Sequence, residues 1–123
     1  MTKDTSWQAT FKNAFAGLNY ALRTQRTFKV HLIFSILVIS LGVWLKIDNG
    51  RFLFLVLSIV LGLVVEMGNT AFEATVDLIT RDYHPQAKIA KDVSAGMMLV
   101  ASFGLALLGA LILGPSLWQK LFA

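Results

Sequence analysis

Five polar residues follow an uncharged apolar run, at the spacing of one helix face. The run covers residues 52–65, and the polar residues after it are Glu66, Asn69, Thr70, Glu73 and Asp77. At about 100° per residue, all five project from one side of a helix, and we name them the polar stripe. An ionisable side chain within a membrane span costs about 3 kcal/mol, so such residues usually mark a pathway or a reactive site. A lone polar residue usually holds helices together, but five on one face favour ion binding or catalysis.

Depth along this helix separates the chemistry that each acidic residue can do. If Arg51 marks the outer membrane interface, a rise of about 1.5 Å per residue places Glu66 about 22 Å deeper and Glu73 about 33 Å deeper. The hydrocarbon core is about 30 Å thick, so Glu66 is expected within the inner leaflet and Glu73 at its edge. Glu66 can therefore meet a group that arrives through lipid. Glu73 and Asp77 can meet a metal ion and a charged nucleotide from water.

The composition places the elements that carry this stripe in a membrane. Of 123 residues, 56% are hydrophobic and only 15% are charged, which is too apolar for a small soluble domain. Residues 30–46, 51–81 and 88–113 can each span a bilayer, and residues 5–26 have the pattern of an amphipathic helix that lies on the membrane surface. We therefore expect an all-α integral membrane fold, with residues 1–123 as a single domain.

The distribution of basic residues predicts the orientation of the spans. Five of the eleven Lys and Arg residues precede the first span, and three lie in or beside the loop after the second. The positive-inside rule makes both segments cytoplasmic, so the stripe faces the compartment that holds ATP. The net charge of +4 suits contact with an anionic membrane surface, whereas a nucleic-acid binder would leave three spans unexplained. The absence of cysteine excludes thiol chemistry.

The stripe and the start of the third span resemble the signature of the small prokaryotic diacylglycerol kinase family, which includes the undecaprenol kinases. The matching residues are Glu66-x-x-Asn69-Thr70-Ala71-Phe72-Glu73-x-x-x-Asp77 and Ala90-Lys91-Asp92. The resemblance covers nearly the whole chain. No phosphate-binding Walker A loop is present, because the glycine pair Gly104 and Gly109 is not followed by Lys and Ser or Thr. The kinase prediction therefore depends on the resemblance, and the chemistry of the stripe agrees with it.

The resemblance implies two catalytic residues and two metal ligands. Glu66 is expected to accept the proton of a lipid hydroxyl, and Asn69 to orient the reacting groups. Glu73 is expected to bind Mg²⁺. Gln25 aligns where the family commonly has a second metal-binding glutamate, and its amide can offer only a neutral oxygen.

The resemblance also implies a nucleotide site and an assembly. ATP is expected as the co-substrate, with its Mg²⁺, and the residues expected to support or border it are Asp77, Asp82, Tyr83, His84, Lys91 and Asp92. Lys91 would meet phosphate. The expected assembly is a homotrimeric helical bundle of nine spans in the inner (plasma) membrane, with its sites on the cytoplasmic face.

Three functions fit the sequence. We favour phosphorylation of diacylglycerol, which would yield phosphatidate. Undecaprenol is the alternative substrate, because both lipids present a primary hydroxyl beside long hydrocarbon tails. The third reading is a non-enzymatic membrane subunit whose polar stripe lines a passage, although it leaves Lys91 and Asp92 without a role.

Overall fold

The computed structural model describes residues 6–123 as four α-helices. These are α1 (Trp7–Thr24), α2 (Arg26–Trp44), α3 (Asn49–Ile79) and α4 (Pro85–Phe122). The last three are each long and apolar enough to cross a membrane, and no strand occurs within the described residues. The predicted all-α integral membrane fold is confirmed. The predicted domain and surface helix begin at residues 1 and 5, which lie outside the described part of the chain.

A single residue separates α1 from α2. The backbone of Gln25 is extended, with φ of −101° and ψ of 109°, so α1 ends at Thr24 and α2 begins at Arg26. The second helix thus starts earlier than residue 30, where hydropathy alone placed the first span, because Arg26 and Lys29 are charged but compatible with helix. The large apolar side chains of α1 are exposed, as expected of a helix that rests on lipid.

A tight turn joins α2 to α3, and its residues satisfy the backbone groups at the end of α2. The Ile47 N–H donates to the Gly42 carbonyl at 3.3 Å, and the Lys46 N–H donates to the Val43 carbonyl at 3.1 Å. This is the Schellman pattern, which places one residue in the left-handed region. Lys46 occupies that position with φ of 52°, the only positive φ of a residue other than glycine among residues 6–123.

Asp48 then caps the first turn of α3. Its carboxylate accepts a hydrogen bond from the Arg51 N–H at 3.0 Å and forms an ion pair with the Arg51 side chain. The backbone hydrogen bond, followed by the side-chain one, holds the pKa of Asp48 below its ordinary value. An ionised side chain at this end also interacts favourably with the helix dipole.

The outer end of α4 continues beyond residue 113, where the predicted span stopped, and passes through Pro115. Proline removes one helical hydrogen bond, so this segment needs other contacts. The Arg51 guanidinium donates to Ser116 Oγ at 2.9 Å, and Lys120 Nζ donates to the Trp44 carbonyl at 3.0 Å. The Lys120 ammonium also lies 4.2 Å from the centre of the Trp44 ring. These contacts attach the end of α4 to α2 and α3.

The helices bury little apolar surface among themselves. The core is a cluster of Ile47, Leu55, Ile112 and Leu113 near the α2–α3 turn, and α3 packs against α4 more extensively than any other pair of helices. Elsewhere, large apolar side chains of all three spanning helices are exposed. A monomer in water rarely exposes so much contiguous apolar surface, so lipid or further copies of the chain must cover it.

Lys46→Gly tests the turn. We expect the free energy of unfolding to rise by about 1 kcal/mol, because glycine adopts positive φ without the steric cost of a side chain. Thermal unfolding of the detergent-solubilised protein measures this change. Catalytic rate should be unaffected, since the turn is at the opposite end of α3 from the polar stripe. A lower unfolding temperature would show that the Lys46 side chain contributes more than its backbone strain costs.

Candidate active site

The polar stripe lies along α3, as its spacing predicts, and its side chains become more exposed towards the end of the helix. Glu66 is only 3% exposed and Thr70 is buried, whereas the side chain of Asp77 is 46% exposed. Asn69 and Glu73 are half-buried. The stripe therefore begins in the packed interior and ends at an accessible surface, in the order that the depth estimate predicts.

Glu66 is paired with a histidine of α2. The Nδ1 atom of His31 lies 3.2 Å from Oε2 of Glu66. The other carboxylate oxygen, Oε1, is buried and has no hydrogen-bond partner among the described residues. Buried polar atoms are nearly always paired, and an exception needs an explanation. A ligand that carries a hydroxyl would supply the missing donor.

Glu66 also lines a long groove between α2, α3 and α4. The groove has a volume of about 910 Å³, and its walls are mostly apolar. On α2 its lining extends from Arg26 to Val38, which corresponds to about 18 Å along the helix axis. A buried carboxylate beside a groove of this length and polarity suits an alcohol that carries a hydrocarbon tail.

The closest packing beside Glu66 occurs at Gly62, one turn earlier on α3. A Cβ atom at Gly62 would overlap the His31 ring and the end of Leu105, so only glycine lets both side chains approach the helix here. The small residues of the third predicted span, among them Gly96 and Gly104, favour close approach of neighbouring helices. The α4 residues Gly96 and Gly104 have open space beside them, so the closest approach instead depends on α3.

Asn69 connects Glu73 to α4. The hydroxyl of Ser94 donates to Asn69 Oδ1 at 2.5 Å, and Asn69 Nδ2 donates to Glu73 Oε1 at 3.2 Å. Ser94 is buried. This chain of two hydrogen bonds fixes the Asn69 amide and turns one oxygen of Glu73 towards it. These hydrogen bonds are compatible with the predicted orienting role of Asn69, which stays a prediction.

Two ion pairs lie where the nucleotide was predicted. Lys91 Nζ is 2.5 Å from Asp77 Oδ1, which joins α4 to the end of the stripe, and both side chains are nearly half exposed. Lys88 and Asp92 form a second pair on the exposed side of α4. The structure thus brings Asp77 and Lys91 together but gives Asp92 a different partner. All three remain accessible from water.

The loop before α4 holds the other predicted nucleotide residues. Asp82, Tyr83 and His84 are all exposed. His84 is extended and caps α4: its Nδ1 accepts a hydrogen bond from the Gln86 N–H at 3.2 Å, and Pro85 takes the first helical position. α4 therefore begins at Pro85, before residue 88, where the predicted span started.

The predicted metal ligands are not joined in the structure. Glu73 bonds to Asn69, while Gln25 lies in the α1–α2 connection and its side chain makes no capping hydrogen bond. Among residues 6–123, no three or more His, Asp or Glu side chains gather into a metal site. Mg²⁺ commonly binds through one or two carboxylates together with substrate phosphates. The residues present therefore fit Mg²⁺ that arrives with a nucleotide.

Sequence reasoning missed His31 and Ser94 as parts of this site. In the sequence, two histidines without cysteine give no zinc pattern, and Ser94 has the character of a small packing residue. A signal for His31 was present, because a titratable residue within an apolar span is by default a functional candidate. Ser94 had no such signal, since its importance depends on which residue of α3 faces it.

Comparison with known proteins identifies the family. The profile described as prokaryotic diacylglycerol kinase matches residues 12–113. The chain belongs to the prokaryotic diacylglycerol kinase family. It is 35% identical to a diacylglycerol kinase of Synechocystis over 94% of this chain and 70% of that protein. It is 38% identical to an undecaprenol kinase of Bacillus subtilis over 87% of each chain, and 31% identical to a diacylglycerol kinase of Escherichia coli over 72% of each.

Membership of this family confirms two predictions from the sequence. The resemblance drawn from the stripe and residues 90–92 is correct, and the chain is a lipid kinase. Its three apolar helices make it a multi-pass membrane protein. The role of each site residue stays a prediction.

Ser94→Ala tests the connection from α4 to Glu73. We expect kcat to fall about tenfold, because the Asn69 amide loses its buried donor and can rotate away from Glu73. Ser116→Ala is the matched control: it removes a hydrogen bond of another α4 serine, about 33 Å along the helix, and should leave kcat unchanged. Equal kcat values for the two variants would show that the Ser94 hydroxyl does not orient the site.

Proposed function

We propose that this chain transfers the γ-phosphoryl group of Mg-ATP to the primary hydroxyl of diacylglycerol, giving phosphatidate. The observation that carries the proposal is the position of Glu66, which is buried, lines the apolar groove and keeps one carboxylate oxygen without a partner. Further along the same helix, Asp77 is accessible to water, and so is Lys91 of α4, which pairs with it. The α3 helix therefore offers a base to a lipid and, together with Lys91 of α4, charged groups to a nucleotide.

The reaction needs one proton acceptor and one new bond. The lipid hydroxyl oxygen bonds to the γ-phosphorus, its proton passes to Glu66, and the bond from the γ-phosphorus to the bridging β–γ oxygen breaks, so that ADP leaves with that electron pair. Positioning and electrostatic stabilisation account for most catalysis of this kind. A carboxylate held within reach of the hydroxyl contributes as a general base, typically 10²- to 10⁴-fold.

The charged residues beyond Glu66 suit the phosphates. The ammonium group of Lys91 has three donors, and Asp77 accepts one of them, so two remain for phosphate oxygens. Asp77 in this arrangement holds the lysine in place. Glu73, together with Gln25 of the α1–α2 connection, would hold the Mg²⁺ that arrives with the nucleotide, and the ion would neutralise charge on the transferring group. Asp82, Tyr83, His84 and Asp92 would border the nucleotide.

The assembly and location follow from the same proposal. The exposed apolar surface of the spanning helices is consistent with a homotrimer, in which other copies would cover part of it. The basic residues before the first span and beside the α3–α4 loop favour the cytoplasmic side of the inner membrane for the site, where ATP is available. The exposed apolar face of α1 would rest on the anionic surface of that membrane.

Undecaprenol remains the alternative substrate. The relatives named above include both diacylglycerol kinases and an undecaprenol kinase at similar identity. The mostly apolar groove would suit the hydrocarbon chain of either lipid, and Glu66 would require only a hydroxyl.

Phosphorylation assays separate these functions. Membranes containing the protein receive labelled ATP and either lipid, and the extracted lipids are compared for phosphatidate and undecaprenyl phosphate. We expect phosphatidate in excess. Glu66→Gln should reduce the rate at least 100-fold, because the amide cannot accept the proton. Thr75→Val, on the opposite side of α3, is the control and should keep full activity.

Two outcomes would contradict parts of this proposal. A higher specificity constant for undecaprenol would reassign the substrate and leave the chemistry intact. Labelling of neither lipid, with Glu66→Gln indistinguishable from the unaltered protein, would favour the non-enzymatic reading of the polar stripe.

Gln25→Glu tests the proposed metal ligand. We expect activity at low Mg²⁺ concentration to be preserved or to increase, because a carboxylate binds Mg²⁺ more strongly than a neutral amide oxygen does. The measurement is the Mg²⁺ dependence of kcat at saturating ATP, with Glu73→Gln expected to raise the Mg²⁺ requirement. A tenfold loss of activity in Gln25→Glu would show that residue 25 does not face the metal.

A further inference from the structure

The geometry points to His31 as the positioning residue for Glu66, an inference that rests on the proposed function. The hydrogen bond from His31 Nδ1 holds Oε2 of the carboxylate and leaves Oε1 to accept the proton of the lipid hydroxyl. His31 does not touch the reacting atoms in this arrangement. It acts by fixing the direction in which Glu66 presents its free oxygen.

No other described side chain can perform this role. Apart from the backbone hydrogen bonds within α3, the described residues give Glu66 two hydrogen bonds: one between His31 Nδ1 and its side chain, and one from the Thr70 hydroxyl to its backbone carbonyl, at 3.1 Å. Within the described part of the chain, Arg26 is the one titratable residue besides His31 and Glu66 that lines the groove. The α4 residues that line the groove, such as Ala95 and Met98, bear neither a charge nor a titratable group. Without His31, the carboxylate would have no side-chain partner.

Packing holds the His31 ring itself in place. The ring and Leu105 fill the space that a Cβ atom would occupy at Gly62, so the ring packs directly against α3. Within α2, the Ser35 hydroxyl donates a hydrogen bond to the His31 carbonyl at 2.8 Å, which links residue 31 to the next turn of the helix. A glycine on α3 and a histidine on α2 thus form one unit that orients the base. Such restraint matters because displacement of a reacting group by about 1 Å can cost about 100-fold in rate.

Two substitutions at position 31 separate a hydrogen-bonding role from a packing role. The Asn amide nitrogen is bonded to Cγ, as His Nδ1 is, whereas the Gln amide nitrogen is one bond further out and corresponds to His Nε2. Because Nδ1 contacts Glu66, we expect His31→Asn to keep kcat within about threefold and His31→Gln to lose 10- to 100-fold. His31→Phe should lose at least as much as His31→Gln. The KM for Mg-ATP should not change in any of them.

A second pair of variants displaces the ring without removing a polar group. Gly62→Ala forces the His31 ring away from α3, and we expect kcat to fall about tenfold. Gly68→Ala is the matched control on the same helix, because a Cβ atom there meets open space. It should keep full activity. Rates are expressed per folded protein, with thermal unfolding measured for each variant.

The outcomes distinguish this inference from the proposed function. If Glu66→Gln is inactive while His31→Gln, His31→Phe and Gly62→Ala keep full kcat, the positioning role is overturned and the kinase mechanism stands. Equal losses in His31→Asn and His31→Gln would also overturn it, because packing alone would then explain the effect. If Glu66→Gln keeps full activity, the proposed base itself is wrong. In support, His31→Phe should cause no further loss in the Glu66→Gln background, since the two residues act as one unit.

Discussion

The burial of one carboxylate is the constraint on which the rest of the structure depends. Glu66 is almost fully removed from solvent, at 3% exposure, in a region whose other walls are mostly apolar. Removing an ionisable group from water is costly unless other groups compensate, and among residues 6–123 only His31 forms a hydrogen bond with this carboxylate. A buried carboxylate with an unpaired oxygen therefore indicates a functional use of this position. The unpartnered oxygen and the adjoining groove supply that use, because a lipid hydroxyl can both satisfy the oxygen and react there.

The features that could be predicted from the sequence are those that a single helix determines. The stripe from Glu66 to Asp77 follows from helical periodicity, and the three spans follow from hydropathy and length. Helix ends were less predictable. α4 continues through Pro115 because contacts of Ser116 and Lys120 with other helices hold the segment beyond the proline. Those contacts cannot be predicted from the local sequence.

Pairs between helices could not be predicted, because they depend on how the helices rotate against one another. The links from His31 to Glu66, from Ser94 to Asn69 and from Lys91 to Asp77 each join two different helices. Motif resemblance supplied Lys91 and Asp77 as separate residues but not their contact. It supplied nothing for His31, whose place depends on the absence of a side chain at Gly62.

In the proposed function, a small protein without a phosphate-binding loop joins a lipid to a nucleotide, and the arrangement of the site accounts for this. A soluble kinase surrounds both substrates with protein, whereas here the boundary between the membrane and water separates them in advance. The rise of α3 places Glu66 and Asp77 about 17 Å apart along the axis, with Glu73 between them. The exposed fraction of these side chains increases in the same direction. In this proposal the lipid approaches Glu66 from the membrane and the nucleotide approaches Asp77 from water. The protein then needs to orient only the reacting groups where the two substrates meet.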